Sequence, residues 1–94
     1  MRHHILVKWN EQVTDRDALC AEVRELFQGV LDVPGVDAVS VHPNVIDRAN
    51  RYDLLILITM DKDALPVYDD CPTHHAWKDR YSRMIAQKAI FDCE

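Results

Sequence analysis

The chain has 94 residues, a length that predicts one domain over residues 1–94, and its hydrophobic content of 48% favours a packed core over disorder. Its net charge is −5 and its basic residues form no run, which disfavours nucleic acid or an anionic membrane as a partner. Chains of this size bury only about 60% of their surface, so self-association is a common source of added stability.

The three cysteines, Cys20, Cys71 and Cys93, are odd in number and have no C-x-x-C spacing. This pattern indicates free thiols in a reducing compartment, so the cytoplasm is the expected location. The N-terminal residues lack the apolar run of a signal peptide, and no segment approaches the ~18 apolar residues of a membrane span. We therefore expect no contact with a membrane.

The first half of the chain predicts a strand, a helix and a second strand. Residues 3–9 alternate so that one face of the first strand carries His3, Ile5, Val7 and Trp9. Thr14 is predicted to cap a helix whose apolar stripe consists of Leu19, Val23, Leu26, Phe27 and Val30. Pro34 and Gly35 end this helix, and residues 36–44 form a second strand with Pro43 at its end or on a sheet edge.

Residues 52–60 predict a third strand that is apolar on both faces. One face carries Leu54, Ile56 and Ile58, and the other carries Leu55 and Leu57. An antiparallel sheet in a two-layer domain normally exposes one polar face to water. A strand that is apolar on both faces needs a second cover, and the chain is too short to supply it. We therefore predict a homodimer.

The remaining residues predict a broken second helix and a last strand. The helix begins at Asp61 with Leu65 and Tyr68 facing inward, and Pro72 interrupts it. Thr73 is predicted to cap the next helical piece, whose buried stripe consists of Trp77, Tyr81, Met84 and Ile85. Residues 86–94 form the last strand. The order β-α-β-β-α-β predicts an α+β, ferredoxin-like fold.

Five short motifs resemble those of one known family. They are the His-x-x-x-x-Lys-Trp strand at 3–9, the Val-Pro-Gly-Val turn at 33–36, Asn44 after the second strand, the Ala-Leu-x-x-Tyr-x-x-Cys-Pro-Thr-His segment at 64–74, and Ile-Phe-Asp at 90–92. On these residues the chain resembles the stress-responsive A/B barrel family, also called dimeric α/β barrel (Dabb) proteins. The resemblance covers nearly the whole sequence.

The resemblance implies a homodimer whose two sheets pack face to face into a barrel. One branch of the family, similar to the plant olivetolic acid cyclase-type polyketide cyclases, uses a Tyr and a His as its acid–base pair. Those two positions match Tyr68 and His74, and a further pocket His matches His3. The chain departs from the pattern at Cys71, which replaces a family His, at Leu54, which replaces another pocket His of the cyclase, and at Pro66.

Two interpretations of Tyr68 and His74 stay open from the sequence. A neutral imidazole can remove a proton next to a carbonyl, and a phenol can orient the developing enolate. The alternative is a buried helix tyrosine beside a histidine that only caps the next helix. His3 is likewise either a pocket residue that holds a substrate or a half-exposed residue at a strand end. His4 and His75 are expected to be scaffold residues.

The predicted substrate pocket lies between the sheet and the helices and is lined by Ile5, Val7, Leu26, Phe27 and Trp77. An aromatic residue at helical spacing usually belongs to the core, and this is the favoured interpretation of Trp77. With His3, Tyr68 and His74, such a pocket predicts proton transfer on a small carbonyl compound by a cyclase, lyase or isomerase that uses no cofactor. The alternative is a non-catalytic stress-response dimer that binds a small ligand or a partner, or assembles further, without catalysis.

Metal and covalent chemistry are less favoured. Ligand atoms occur at Cys71, His74, His75, His42 and Asp70, but none of their spacings is a recognised metal-ligand pair, so no metal is predicted. Cys71 precedes a helix start near an imidazole, a setting that lowers the pKa of a thiol, yet a packed thiol is the favoured interpretation. No phosphate-binding loop or nucleotide fingerprint occurs.

Overall fold

The computed structural model describes residues 1–94 and contains four strands and three α-helices. The strands are β1 (Arg2–Trp9), β2 (Val36–Pro43), β3 (Leu54–Met60) and β4 (Ile85–Cys93). The α-helices are α1 (Arg16–Phe27), α2 (Leu65–Asp69) and α3 (Pro72–Tyr81). Short 3-10 helices occupy Gln28–Asp32, Lys62–Ala64 and Ser82–Met84. No helix combines the length and the apolar character that a membrane span requires.

The four strands form one antiparallel sheet in the order β2-β3-β1-β4. The apolar strands β1 and β3 are central, and at the middle of β1 Ile5 pairs with Ile56 on one side and Ile90 on the other. Pro43 ends β2, which is an edge strand, as expected for a residue that lacks an N–H donor. This topology confirms the predicted ferredoxin-like α+β fold.

The core lies between the helices and one face of the sheet. Alternate residues of the two central strands are buried there, namely His3, Ile5, Val7, Trp9, Leu54, Ile56, Ile58 and Met60. The opposite face is named here the open face, because no element of the chain covers it. Its apolar side chains are Leu6, Ala38, Leu55, Leu57, Ala89 and Phe91. The three leucines are half-buried, whereas Phe91 is 61% exposed.

Two predicted helix caps are wrong. The cap of α1 is Asp15 rather than Thr14, because Asp15 has extended backbone angles and its Oδ1 accepts from the amide of Ala18 at 3.0 Å. The cap of α3 is Cys71 rather than Thr73, and its Sγ accepts from the amide of His74 at 3.4 Å. Pro72 takes the first helical position, which leaves Thr73 buried inside the helix.

Two predicted boundaries also shift. Helix α3 ends at Tyr81, so Met84 lies in a 3-10 turn and Ile85 begins β4, and both are only half-buried. Strand β3 begins at Leu54 rather than at Tyr52, and Asp53 just before it is bonded to the end of β1. The Asp53 amide donates to the Val7 carbonyl oxygen, and its Oδ2 accepts from the Trp9 amide, both at 2.8 Å.

The turn into β2 depends on Gly35, which has a φ of +90°. A Cβ at this position would lie 2.9 Å from the Cβ of Ala64. We expect Gly35→Ala to lower the free energy of unfolding by about 1–3 kcal/mol, measured by urea denaturation. Adding Ala64→Gly removes the contact but leaves the φ strain, so the double variant should recover only part of the loss. Unchanged stability in Gly35→Ala would contradict this account.

Candidate active site

A cavity of about 250 Å³ lies between the β1–β4 side of the sheet and helices α2 and α3. Its apolar wall consists of Ile5, Leu65, Trp77 and Ile90. Its polar lining consists of His3, Tyr68, Asp69, His74, Lys88 and Asp92. The exposed residues of edge strand β4 form its rim, so a small molecule has access from solvent.

Tyr68 is the central polar residue of this cavity. It lies in α2 and is only 1% exposed, yet its hydroxyl has no hydrogen-bond partner. No other buried side-chain nitrogen or oxygen lacks a partner. Burial raises the pKa of Tyr68 well above its usual value, and the nearby charges of Cys71 and Asp69 raise it further. The phenol therefore stays protonated at neutral pH and has a free O–H to donate.

Two imidazoles lie against the Tyr68 ring. The ring centroid of His3 is 5.5 Å away in an edge-to-face arrangement, and that of His74 is 4.9 Å away. His3 is buried on β1, whereas His74 is half-buried in the first turn of α3. The break at Pro72 separates α2 from α3 and brings His74 back beside Tyr68. No hydrogen bond joins the two side chains.

The hydrogen bonds of both histidines fix their tautomers. Nδ1 of His3 lies 2.5 Å from Oδ1 of Asp92, and Nδ1 of His74 lies 2.7 Å from the carbonyl oxygen of Asp69. A carboxylate and a carbonyl oxygen only accept, so Nδ1 carries the proton in each neutral ring. Each Nε2 then has a free lone pair. Nε2 of His74 and Nε2 of His3 can therefore act as proton acceptors beside the Tyr68 hydroxyl, which is a proton donor.

The structure brings together His3, Tyr68 and His74, and it places Ile5 and Trp77 on the cavity wall. The other three predicted pocket residues do not line this cavity. Val7 and Phe27 are fully buried in the core, where the Phe27 ring packs edge-to-face on Trp77 at 5.4 Å. Leu26 lies beside a separate depression with Glu22 and Arg80. Helix and strand patterns indicate which residues face inward, but not which of them border an empty volume.

Asp92 and Lys88 were not among the residues predicted for the site. Both lie on β4, on the side that faces the helices, and Asp92 pairs in register with His3. The contact joins residues 89 positions apart, so no local motif encodes it. The signal was indirect: a ferredoxin-like order places β4 beside β1, and alternate residues of β4 share the face of His3.

The residues considered as metal ligands are dispersed. No group of three or more His, Cys, Asp or Glu side chains is placed to hold a metal ion. Cys71 caps α3, His75 lies on the surface with its Nε2 3.3 Å from Asp70, and His42 hydrogen-bonds Ser40 on β2. Each therefore has a local structural partner.

A second concavity, a groove of about 600 Å³, lies between the 3-10 turn after α1 and the α2–α3 corner. It is lined by three prolines, Pro34, Pro66 and Pro72, with the exposed Val67. It contains no buried polar side chain without a partner. The Tyr68 cavity is therefore the better candidate for chemistry.

No protein-family model and no curated protein sequence matches the chain. Solved structures do match its fold. A dimeric ferredoxin-like protein of unknown function from Thermobifida fusca is 22% identical with a TM-score of 0.78, covering 96% of this chain and 85% of that one. A Dabb family protein from Mesorhizobium loti is 16% identical with a TM-score of 0.66, covering 99% and 93%. A hydroxynitrile lyase from Passiflora edulis is 10% identical with a TM-score of 0.72, covering 96% and 87%.

These matches define the class of the protein as ferredoxin-like α+β. At such identities the likeness concerns the fold and carries no activity with it. Within that class the chain has the fold of a Dabb-type domain, as the sequence resemblance predicts.

Proposed function

We propose that the Tyr68 cavity is an acid–base site for a small, partly apolar carbonyl compound, with no cofactor required. The observation that carries this proposal is the Tyr68 hydroxyl, which is buried, protonated and without a partner between two imidazoles. Leaving a buried hydroxyl unsatisfied costs about 1–3 kcal/mol. A bound carbonyl oxygen would remove that cost by accepting the hydrogen bond.

The chemical step assigned to this site is proton removal from the carbon next to the carbonyl. Nε2 of His74 takes the proton, the C–H electron pair forms a C=C bond, and the carbonyl oxygen gains negative charge. Tyr68 donates its O–H to that oxygen as the charge develops. In a cyclase the enolate then attacks a second carbonyl carbon, and the alkoxide that forms takes the proton held by His74. In a lyase His74 instead removes the proton of a β-hydroxyl, the C–C bond breaks to give a new carbonyl and an enolate, and the enolate carbon takes up that proton.

His3 and Asp92 support this step as a positioned pair. The carboxylate of Asp92 accepts from Nδ1 of His3 and so holds the ring with its Nε2 free. We assign His3 the binding of a substrate hydroxyl, which would donate to the free lone pair of Nε2 beside Tyr68. The same fold occurs in a hydroxynitrile lyase, which supports the view that it can host a lyase site.

The proposal is tested by deuterium exchange at the methyl carbon of acetophenone in D2O, followed by NMR. The decisive variant is His74→Asn, because the amide nitrogen can still donate to the Asp69 carbonyl oxygen while the proton acceptor is lost. We expect the exchange rate to fall roughly 100- to 10,000-fold, the usual contribution of a general base. Equal rates with and without the wild-type protein would contradict the proposal.

The matched control is His75→Asn. His75 is the next residue along α3, is exposed, and its side chain hydrogen-bonds only with Asp70. This variant should exchange at the wild-type rate. If both variants lose activity equally, the effect of His74→Asn comes from the helix rather than from the site.

A second candidate function is ligand binding without catalysis. The absence of a hydrogen bond between Tyr68 and His74 favours it, because the two side chains are not preassembled as a donor–acceptor pair. Saturable binding of acetophenone with no deuterium exchange would establish this alternative.

We also propose that the protein is a homodimer joined through the open face. The support is the exposed Phe91 and the half-buried Leu6, Leu55 and Leu57 on a face that no helix covers. No Asp or Glu lies on this face, and several structural neighbours are described as dimeric. A cytoplasmic location stays a prediction from the three free thiols.

A further inference from the structure

Lys88 places a positive charge at the rim of the Tyr68 cavity. On the face of β4 that looks toward the helices, three residues pair in register with β1: Asp92 with His3, Ile90 with Ile5, and Lys88 with Val7. Each step of two residues covers about 7 Å. The cavity therefore has a polar end at His3 and Tyr68, an apolar middle, and a cationic end at Lys88.

The ammonium group of Lys88 has no partner in the chain. It makes no ion pair and no hydrogen bond, although two carboxylates, Asp69 and Asp92, line the same cavity. Asp92 is already engaged with His3. No other lysine or arginine lines the cavity, in a chain whose net charge is −5.

We infer that the ligand of this cavity carries a carboxylate, separated by a short apolar segment from its carbonyl group, and that Lys88 binds this carboxylate and selects for it. The inference deepens the proposed function and rests on it for the position of the carbonyl beside Tyr68. An anionic ligand is repelled by the overall negative charge, so its binding depends on a local cation. A ligand of this kind satisfies the Tyr68 hydroxyl and the Lys88 ammonium together.

The test compares levulinate, a keto carboxylate, with its neutral amide, levulinamide, by NMR titration of the protein at low ionic strength. The wild-type protein should bind levulinate about 2- to 5-fold more tightly than the amide, as expected for one exposed charge pair. Lys88→Gln should abolish this preference and leave the affinity for levulinamide within twofold. Raising the salt concentration should weaken the binding of levulinate only.

The control is Lys78→Gln, which makes the same change of charge on an exposed residue of α3 outside the cavity. It should keep the preference for levulinate. Equal affinity of the wild-type protein for the two probes, or equal losses in both variants, would overturn the inference. So would a Lys88→Gln protein that keeps the preference but aggregates, because Lys88 would then only protect the edge strand β4 from pairing.

The inference and the proposed function can fail separately. If levulinate binding depends on Lys88 but acetophenone is not exchanged, the catalytic proposal is wrong and the ligand class stands. If acetophenone is exchanged through His74 but levulinate has no advantage over its amide, the ligand class is wrong and the catalytic proposal stands.

Discussion

Replacing Tyr68 with phenylalanine is expected to stabilise the fold and to remove activity. The hydroxyl is buried without a partner, so its removal at neutral pH should raise the free energy of unfolding by about 1 kcal/mol. The same change deletes the only group placed to donate to a substrate carbonyl, and acetophenone exchange should fall at least about 100-fold. Urea denaturation and deuterium exchange measure the two effects. A substitution that raises stability while it lowers activity indicates that the original residue serves the function rather than the fold.

Tyr81→Phe is the matched control. The Tyr81 hydroxyl is also in a buried residue, but it donates to Oε1 of Glu22 at 3.2 Å. Its removal should leave stability unchanged or lower it by about 1 kcal/mol. If Tyr68→Phe destabilises the protein more than Tyr81→Phe does, the Tyr68 hydroxyl contributes to the fold and the argument for a functional hydroxyl fails.

The loss of folding stability at high pH gives an independent test of the burial of the Tyr68 hydroxyl. Burial raises the pKa of Tyr68 in the folded state above its ordinary value of 10.0, so the native protein holds this proton more tightly than the unfolded chain does. The stabilisation of the folded state that comes from this difference in pKa is complete below pH 10. It is lost as the pH rises toward the pKa of Tyr68 in the folded state. The pKa of Tyr81 is also raised, by burial and by Glu22. Tyr68→Phe should therefore reduce the loss of stability above pH 10 but not abolish it.

The sequence predicted the sheet faces well because strand period and burial are directly linked. Residues alternate along β1 and β3, and the face predicted to carry Ile5, Val7, Leu54, Ile56 and Ile58 is the buried one. The predicted cap of α1 was wrong because neighbouring residues have similar capping chemistry. Thr14 and Asp15 can both cap a helix, and the backbone angles of Asp15 decide between them.

The site was predictable only where its residues are close in sequence or match a family motif. Tyr68 and His74 are six positions apart around one corner, and His3 matches the resemblance. Asp92 was missed because its contact with His3 depends on the register of β1 with β4. That register is set by the whole sheet and includes an irregularity between Lys8 and Trp9.

The open face decides whether two copies associate, and Leu57 lies at its centre. It is on β3, between His4 of β1 and Ser40 of β2. Burying a leucine contributes about 1.5–3 kcal/mol. A twofold interface contains the residue twice, and a lysine there would also be buried without a partner. We expect Leu57→Lys to raise the dissociation constant of the dimer at least about 100-fold.

Analytical ultracentrifugation over a dilution series measures this change. The control is Leu31→Lys, which adds the same charge at a leucine that is 44% exposed in the 3-10 turn after α1, on the helical side of the sheet. Leu31→Lys should remain dimeric. If the wild-type protein is monomeric at micromolar concentration, or if both variants dissociate alike, the two sheets do not pack on each other. The half-buried leucines of β3 would then face water in the native protein, against the pattern that first indicated a dimer.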